Sequence, residues 1–479
     1  MKNNRREFIK LTGIAGAGII AGCSGQAKSP ASSVAANPFL QTHQQLFNMS
    51  GYAAPALETV RVGVIGIGRR GSGAVLRLAS IDGVELKALC DIIPEKVTKA
   101  FASLKDLNQK PDSYSGKEDE WKKICDRKDI DLIYISTPWN LHAEISVYAM
   151  EHNIHVATDR PAATTIEDCW KLVETSERTR KHCWVSTHAC WSGMTAATLN
   201  MVRQGFFGEL IHGEGGYIHD RMDRIFNAQE FGTWRMKENA SRNGNLYPDS
   251  GIDSISQMMD INYGDKLEYL SSLSSNDFML QSKAKELNYV DETGKSYNDN
   301  MFRGNMNITI IRTNMGRSIM IQHDVSSPRP RPDTIDLISG TKGICMFSVP
   351  SIGIAGSHEW LPVEEVKQLE EKYTPEMTRQ FREMLRQAGR KEGAEEWPPD
   401  VSAEEWRLID CLRNGIPMDI DVYDSALWAA IGPLSEMSVA NQSNSIAVPD
   451  FTCGSWKTNG RGMDINLTRG GGTTKLIKL

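Results

Sequence analysis

Val60-Arg61-Val62-Gly63-Val64-Ile65-Gly66-Ile67-Gly68-Arg69-Arg70-Gly71 is the stretch on which the reading turns. Its first six residues are short, β-branched and largely apolar, the pattern of a buried strand in a parallel sheet. The next six spell G-x-G-x-x-G, and Val75, Leu76, Leu78 and Ala79 follow on one side of a helical pattern. Glycines placed so have separate tasks. Gly66 allows the tight turn, Gly68 lets a pyrophosphate approach the backbone, and Gly71 lets helix pack on strand. The helix N-terminus adds N–H groups and a positive dipole for phosphates. The spacing alone is weak; the strand before it and the helix after it make it specific.

A second strand pattern, Val84 to Cys90, ends at Asp91. An acid there bonds ribose hydroxyls and favours NAD over NADP, although Arg69 and Arg70 could hold the extra phosphate. Asp131 to Thr137 reads as another strand and runs into Pro138-Trp139-Asn140-Leu141-His142. Ile154 to Thr158 ends in Asp159-Arg160-Pro161, and a long helix starts near Ile166. This alternation over residues 60–185 predicts an α/β, doubly wound Rossmann sheet, with ligands at the carboxyl ends of its strands. From about residue 186 the pattern changes to longer strands and irregular loops. Met194 to Arg203 reads as a helix, Gly213 to His219 and Met306 to Thr313 as strands, and 362–415 as charged and mostly helical with a break at Trp397-Pro398-Pro399.

The chain has 479 residues, 40% hydrophobic and 24% charged, enough for two domains with cores of their own. A net charge of -6 and no basic block give no reason to expect nucleic acid. No stretch of eighteen apolar residues suggests a membrane span. The N-terminus is different. Arg5-Arg6-Glu7-Phe8-Ile9-Lys10 precedes an apolar, Gly/Ala-rich run and then Ile20-Ala21-Gly22-Cys23. Twin arginines of this kind match a Tat export signal, and the last four residues look like a lipobox with Cys23 acylated. Residues 1–23 are therefore expected as signal and 24–57 as a Ser/Ala/Gln/Pro-rich tether. Membrane contact is expected only through Cys23, on the periplasmic side. Tat carries folded proteins, so a cofactor can be loaded before export and must then be held tightly and restored each cycle. Setting Cys23 aside leaves eight cysteines. Folding in a reducing cytosol favours buried thiols over disulfides. No spacing suggests zinc, and no metal is expected.

These elements together resemble the Gfo/Idh/MocA oxidoreductase superfamily, and within it glycoside hydrolase family 109, the NAD-dependent α-N-acetylgalactosaminidase group. The blocks that carry the likeness include Asn200-Met201-Val202-Arg203-Gln204-Gly205, Gly213-Glu214-Gly215-Gly216-Tyr217-Ile218-His219-Asp220 and Asn243-Gly244-Asn245-Leu246-Tyr247-Pro248. They continue in Gln322-His323-Asp324, Ser327-Pro328-Arg329-Pro330 and Asp421-Val422-Tyr423-Asp424. The resemblance spans nearly the whole chain after the tether. It implies an open, mainly antiparallel sheet in an α+β domain over 186–479, covering the nicotinamide and often forming a dimer face; a homo-oligomer is expected. It implies a redox-neutral mechanism: hydride removal at sugar C3, loss of the C2 proton, elimination at C1, rehydration, and return of the hydride. That needs no carboxylate pair around the glycosidic bond. Carried over by position, Arg69, Arg70, Asp91, Trp139, Asn140, Leu141, His142, Asp159, Arg160 and His188 would line the NAD site, with Trp234 and Arg235 reaching it. Tyr217, Arg235 and Tyr247 to Ser250 would face a small-molecule sugar. Tyr217 and His219, one strand period apart, share a sheet face and form the expected proton-moving pair.

Several positions depart from the family. Its Glu-Lys-Pro reads Asp159-Arg160-Pro161, and a guanidinium cannot cycle a proton as a tuned Lys can. Its Tyr-Pro-Thr-His-Gly reads Tyr247-Pro248-Asp249-Ser250-Gly251, which makes Asp249 a candidate replacement acid/base. A Tyr after Ser-Pro-Arg-Pro is Arg331, which could pair bidentately with a carboxylate and so suggests an acidic sugar. His188 stands at an Asn position. Three readings stay open: an NAD-dependent glycosidase acting on an N-acetylhexosamine-type or related glycoside, a sugar oxidoreductase with net hydride transfer, and a non-catalytic sugar-binding lipoprotein.

Overall fold

A computed structural model describes residues 43–191, 193–299, 301–330, 335–390 and 402–477, the side chains of residues 188 and 189 excepted. The expected signal, Cys23, Arg331 and the Trp397 break lie outside the described residues.

The first sheet is built from β1 (Val60–Ile65), β2 (Val84–Asp91), β3 (Asp112–Ser115), β4 (Leu132–Ile135), β5 (His155–Thr158) and β6 (Cys183–Val185). All six are parallel, in the order β3-β2-β1-β4-β5-β6. The chain reverses direction of travel across the sheet between β1 and β4, so a crevice opens at their carboxyl ends. β4 and β5 are buried along their whole length, as a sheet covered on both faces requires. The glycine-turn helix, Arg69–Ala79, begins within the fingerprint, directly after Gly68, and buries Ala74, Val75 and Leu78.

The second sheet comprises β7 (Leu210–Ile218), β8 (Leu267–Ser274), β9 (Asn307–Thr313), β10 (Ser318–Asp324), β11 (Asp336–Gly340), β12 (Gly343–Met346), β13 (Ser351–Ile354) and β14 (Ile446–Ala447). The order is β13-β12-β11-β7-β10-β9-β8-β14. Every pairing is antiparallel except β7 with β10. Helix Asp249–Met258 lies against β7 with backbone touching backbone: a Cβ on Gly215 would come within 2.0 Å of the Gly251 carbonyl oxygen. That approach brings residues 247–251 beside Tyr217.

Two expected boundaries shift. Residues 43–57 are docked rather than a free tether. His43 Nε2 lies 3.1 Å from Glu177 Oε2, Gln45 Nε2 donates to Tyr423 Oη at 2.8 Å, and Met49 is buried. The Rossmann layer also does not close at residue 185. Helix Ala403–Asn414 returns to it, and Arg77 Nη2 meets Glu405 Oε1 at 2.6 Å with both side chains buried. Local pattern cannot show such a return, because the partners are 328 positions apart.

Candidate active site

The glycine turn matches its expected division of labour. Gly66 has φ of 89°, and a Cβ there would lie 2.6 Å from the backbone of Ser136. A Cβ on Gly71 would lie 1.8 Å from the Gly66 carbonyl oxygen. Around Gly68, by contrast, an added Cβ would meet nothing within 4 Å. The loop is thus closed on its sheet side and open on the side where a pyrophosphate would approach. Asp91 ends β2 at this opening, its Oδ2 accepting from Ile67 N at 2.7 Å and its Oδ1 from Ile93 N at 2.9 Å. The glycine turn and the carboxylate together fit a dinucleotide.

The two arginines of the fingerprint part company. Arg69 is exposed. Arg70 turns into the crevice, 3.8 Å from Asp159, and the phenol of Tyr247, then Asp159, holds its pKa above the usual arginine value. Arg70 is therefore occupied away from the ribose end.

The β4 and β5 loops carry the next wall. Trp139 stacks on Tyr247 with ring centroids 5.6 Å apart and meets Trp234 edge-on at 4.9 Å. Asn140 is exposed and Leu141 packs against the core. His142 corrects the expectation that it faces the cofactor. It has no exposed surface, and its ring nitrogens lie 2.8 Å from the carbonyl oxygens of Pro161 and Thr137. It ties the two loops together from behind. Asp159 accepts from Ser136 Oγ at 2.5 Å. The Arg160–Pro161 peptide is cis, and Arg160 donates to Ser250 Oγ at 3.2 Å and to Asp253 Oδ2 at 3.4 Å. Arg160 is thereby fixed to the second half of the chain.

A narrow cavity of about 40 Å3 opens between these loops and β7, lined by Arg70, Trp139, Tyr217, Tyr247, Arg235 and His323 among others. Tyr217 and Tyr247 lie with ring centroids 4.6 Å apart. Their protonation is pushed apart. Burial raises the phenol of Tyr217, but Arg221, whose Nε donates to Tyr217 Oη at 3.2 Å, outweighs it with help from Arg235 and Arg70, and the pKa ends below the usual value. Burial dominates at Tyr247 and leaves its pKa raised despite Arg70 and Arg160. His219 stands edge-on to Tyr217 at 4.2 Å, as the strand period predicts.

Asp249 is a second correction. Its carboxyl is fully buried, and both oxygens lack a hydrogen-bond partner among the described residues. Burial, opposed by Arg160, raises its pKa to about 7. It is not among the residues lining the cavity and lies where the Arg160 charge opposes the rise of its pKa. Arg331 and the His188 side chain lie outside the described residues.

His323, Arg221 and Arg224 line the cavity and were not foreseen. His323 pairs in register with Tyr217 across β10 and β7. Burial, Arg303 and His219 push its pKa well down, so its imidazole is neutral, and its Nδ1 has no partner among the described residues. A signal existed: Ile319, Ile321 and His323 share the buried face of β10. For Arg221 and Arg224 no periodic signal existed. Among the described residues no cluster suits a metal ion.

Fold and crevice define a protein of the dinucleotide-binding oxidoreductase type, with an aromatic and cationic cavity beside the crevice. Residues 60–187 match the family described as "Oxidoreductase family, NAD-binding Rossmann fold", and residues 193–458 match "Glycosyl hydrolase 109, C-terminal domain". The alpha-N-acetylgalactosaminidase of Bacteroides fragilis is 40% identical over 427 residues, covering 87% of this chain and 96% of its own. A glycosyl hydrolase family 109 protein of Solibacter usitatus is 38% identical, covering 95% and 99%. A solved levoglucosan dehydrogenase, in complex with NADH and levoglucosan, shares the fold at a TM-score of 0.57 and 18% identity, covering 82% of this chain and 100% of its own. The chain belongs to glycosyl hydrolase family 109, on an NAD-binding Rossmann scaffold.

Proposed function

We propose that the protein is a redox-neutral glycosidase that cleaves an N-acetylhexosaminide or a related glycoside. The observation that carries this is the Tyr217–Tyr247 pair, ring centroids 4.6 Å apart, in an arginine-lined cavity where Arg221 donates to the Tyr217 phenol. None of the described residues lining that cavity is a carboxylate. Among the described residues, direct displacement by two flanking acids finds no such pair in the cavity lining. Asp91, the glycine turn and the Trp139 loop would hold NAD. Bound NAD would supply a hydride acceptor at sugar C3 and give the same hydride back at the end of the cycle.

The protein's own task is then proton movement and positioning. Tyr217 Oη, kept acidic by Arg221, is the group placed to take a proton from the sugar at C3–OH or C2. Tyr247 Oη keeps its proton and can donate to the departing oxygen. Trp139 and Tyr247 line the cavity with aromatic surface against which a sugar ring can pack. Neutral His323 can hydrogen-bond a hydroxyl without adding charge.

The name of the B. fragilis relative supports N-acetylgalactosamine as the first substrate to try. Aglycone release from a nitrophenyl α-N-acetylgalactosaminide panel, followed together with the NADH absorbance band, is the test. Release with no lasting NADH supports the reading. One equivalent of NADH that accumulates and stops turnover favours the oxidoreductase reading instead. We also propose tight retention of NAD, Tat export and lipidation at Cys23 from the sequence; no described helix is long and apolar enough to cross a membrane. A homo-oligomer through the second sheet is part of the same proposal, in line with exposed Ile211, Leu273 and Ile310.

A further inference from the structure

Four guanidinium groups line the cavity: Arg70, Arg221, Arg224 and Arg235. No described lining residue is acidic. Among the described residues, Arg70 alone of the four pairs with a carboxylate, at 3.8 Å from Asp159. Arg221 spends Nε on Tyr217 and Nη1 on the Asp220 carbonyl oxygen. Arg224 and Arg235 rest on ring faces rather than carboxylates, over Phe231 at 6.0 Å and over Trp234 at 4.1 Å. Their crowding is visible in their acidity. Burial first, and then Arg70 and Arg224, bring Arg235 down to about 10 against the opposing pull of Tyr217 and Tyr247. Burial, then Arg221 and Arg69, lower Arg224. Like charges gathered in a concave, partly desolvated place repel one another, and their field concentrates anions there.

The cofactor does not account for this group as a whole. Arg70 stands on the glycine-turn helix, but Arg221 and Arg224 come from the segment directly after β7. Arg221 is bonded to the same phenol that serves as the base. The positive charge gathers around Tyr217, on which Arg221, Arg235 and Arg70 all act.

We propose that the cavity selects a glycoside bearing an anionic substituent, a carboxylate or a sulfate ester, gripped by Arg221, Arg224 and Arg235. Planar guanidiniums suit either oxyanion because they can donate two parallel hydrogen bonds. The substrate role of this ligand rests on the glycosidase reading; its binding does not.

The test is calorimetric titration of the NAD-loaded protein. The probes are methyl α-D-galactopyranosiduronate, its neutral methyl ester, and methyl α-D-galactopyranoside 6-sulfate. At low salt the acid or the sulfate should bind at least about tenfold more tightly than the ester, as one charge-assisted hydrogen bond implies. The advantage should shrink as salt rises. The preferred arm identifies carboxylate or sulfate as the group. Arg224→Gln should cut the anion-to-ester ratio about tenfold while native mass spectrometry still finds NAD. Arg224→Lys, which keeps the charge, should restore part of the ratio. Equal affinity for all three probes overturns the proposal. So does loss of NAD in Arg224→Gln with the ratio unchanged, which would assign that arginine to the cofactor. Preferential binding of the anion with no turnover of any glycoside would leave this inference standing and refute the glycosidase reading.

Discussion

Replacing Arg221 by Gln should move the acid limb of the pH profile toward alkaline values. Arg221 Nε donates to Tyr217 Oη at 3.2 Å, and Arg221 is the largest influence lowering that phenol's pKa. A hydrogen bond to a charged group contributes about 1.5–3 kcal/mol. At about 1.4 kcal/mol per pH unit, its loss raises the phenol by about one to two pH units. Bare Coulomb attraction at this distance, with an effective dielectric constant of about 20, gives about 5 kcal/mol and sets an upper bound. Gln keeps a dipole, and Arg235 and Arg70 remain, so the smaller figure governs. If Tyr217 is the base, kcat/KM of the NAD-loaded enzyme should rise through a limb that lies one to two pH units higher in Arg221→Gln, and Tyr217→Phe should abolish it. Tyrosinate absorbance gives a second readout that needs no turnover. A limb that stays in place in Arg221→Gln, or that survives in Tyr217→Phe, refutes the assignment.

Three further outcomes are expected. Asp249 ionises near 3.8 when unfolded and at about 7 when folded, so the folded state holds more protons in between and stability falls as pH rises across that window. About three pH units at about 1.4 kcal/mol each make about 4 kcal/mol at most, so Asp249→Asn should raise the melting temperature more at pH 8 than at pH 4; the same gain at both would disprove the burial argument. Gly68→Ala should fold normally, since its φ is -75° and an added Cβ meets nothing, yet lose NAD affinity at least about tenfold; native mass spectrometry checks this, and full retention contradicts the cradle. Glu405→Gln should lower stability to denaturant by about 3–5 kcal/mol, because it leaves the buried Arg77 without its ionic partner; an unchanged midpoint would show that the pair is not what pins helix Ala403–Asn414.

The Rossmann half was legible because its determinants are local. β1 spans the residues read as a strand, Val60 to Ile65, and β5 begins one residue after the expected Ile154. Burial on both faces leaves continuous apolar runs, and the glycine spacing is set by covalent geometry and phosphate size. The nucleotide acid, Asp91, follows from the same short-range rule. The second half was less so. Gly213 to His219 and Met306 to Thr313 located two strands; β9 pairs locally with β10, but β7, parallel to β10 and central in eight strands, depends on partners over a hundred positions apart.

By itself, then, the chain's sequence determined what neighbours along it can settle: a dinucleotide turn, the strand–helix alternation, and the shared face of Tyr217 and His219. Only the tertiary structure decided which charged groups meet. It sent Asp249 and His142 into the interior, turned Arg70 into the crevice, and set His323 opposite Tyr217. The reason is physical. Backbone conformation is governed within a few residues, whereas desolvation and Coulomb energy depend on whatever the fold brings within a few ångströms.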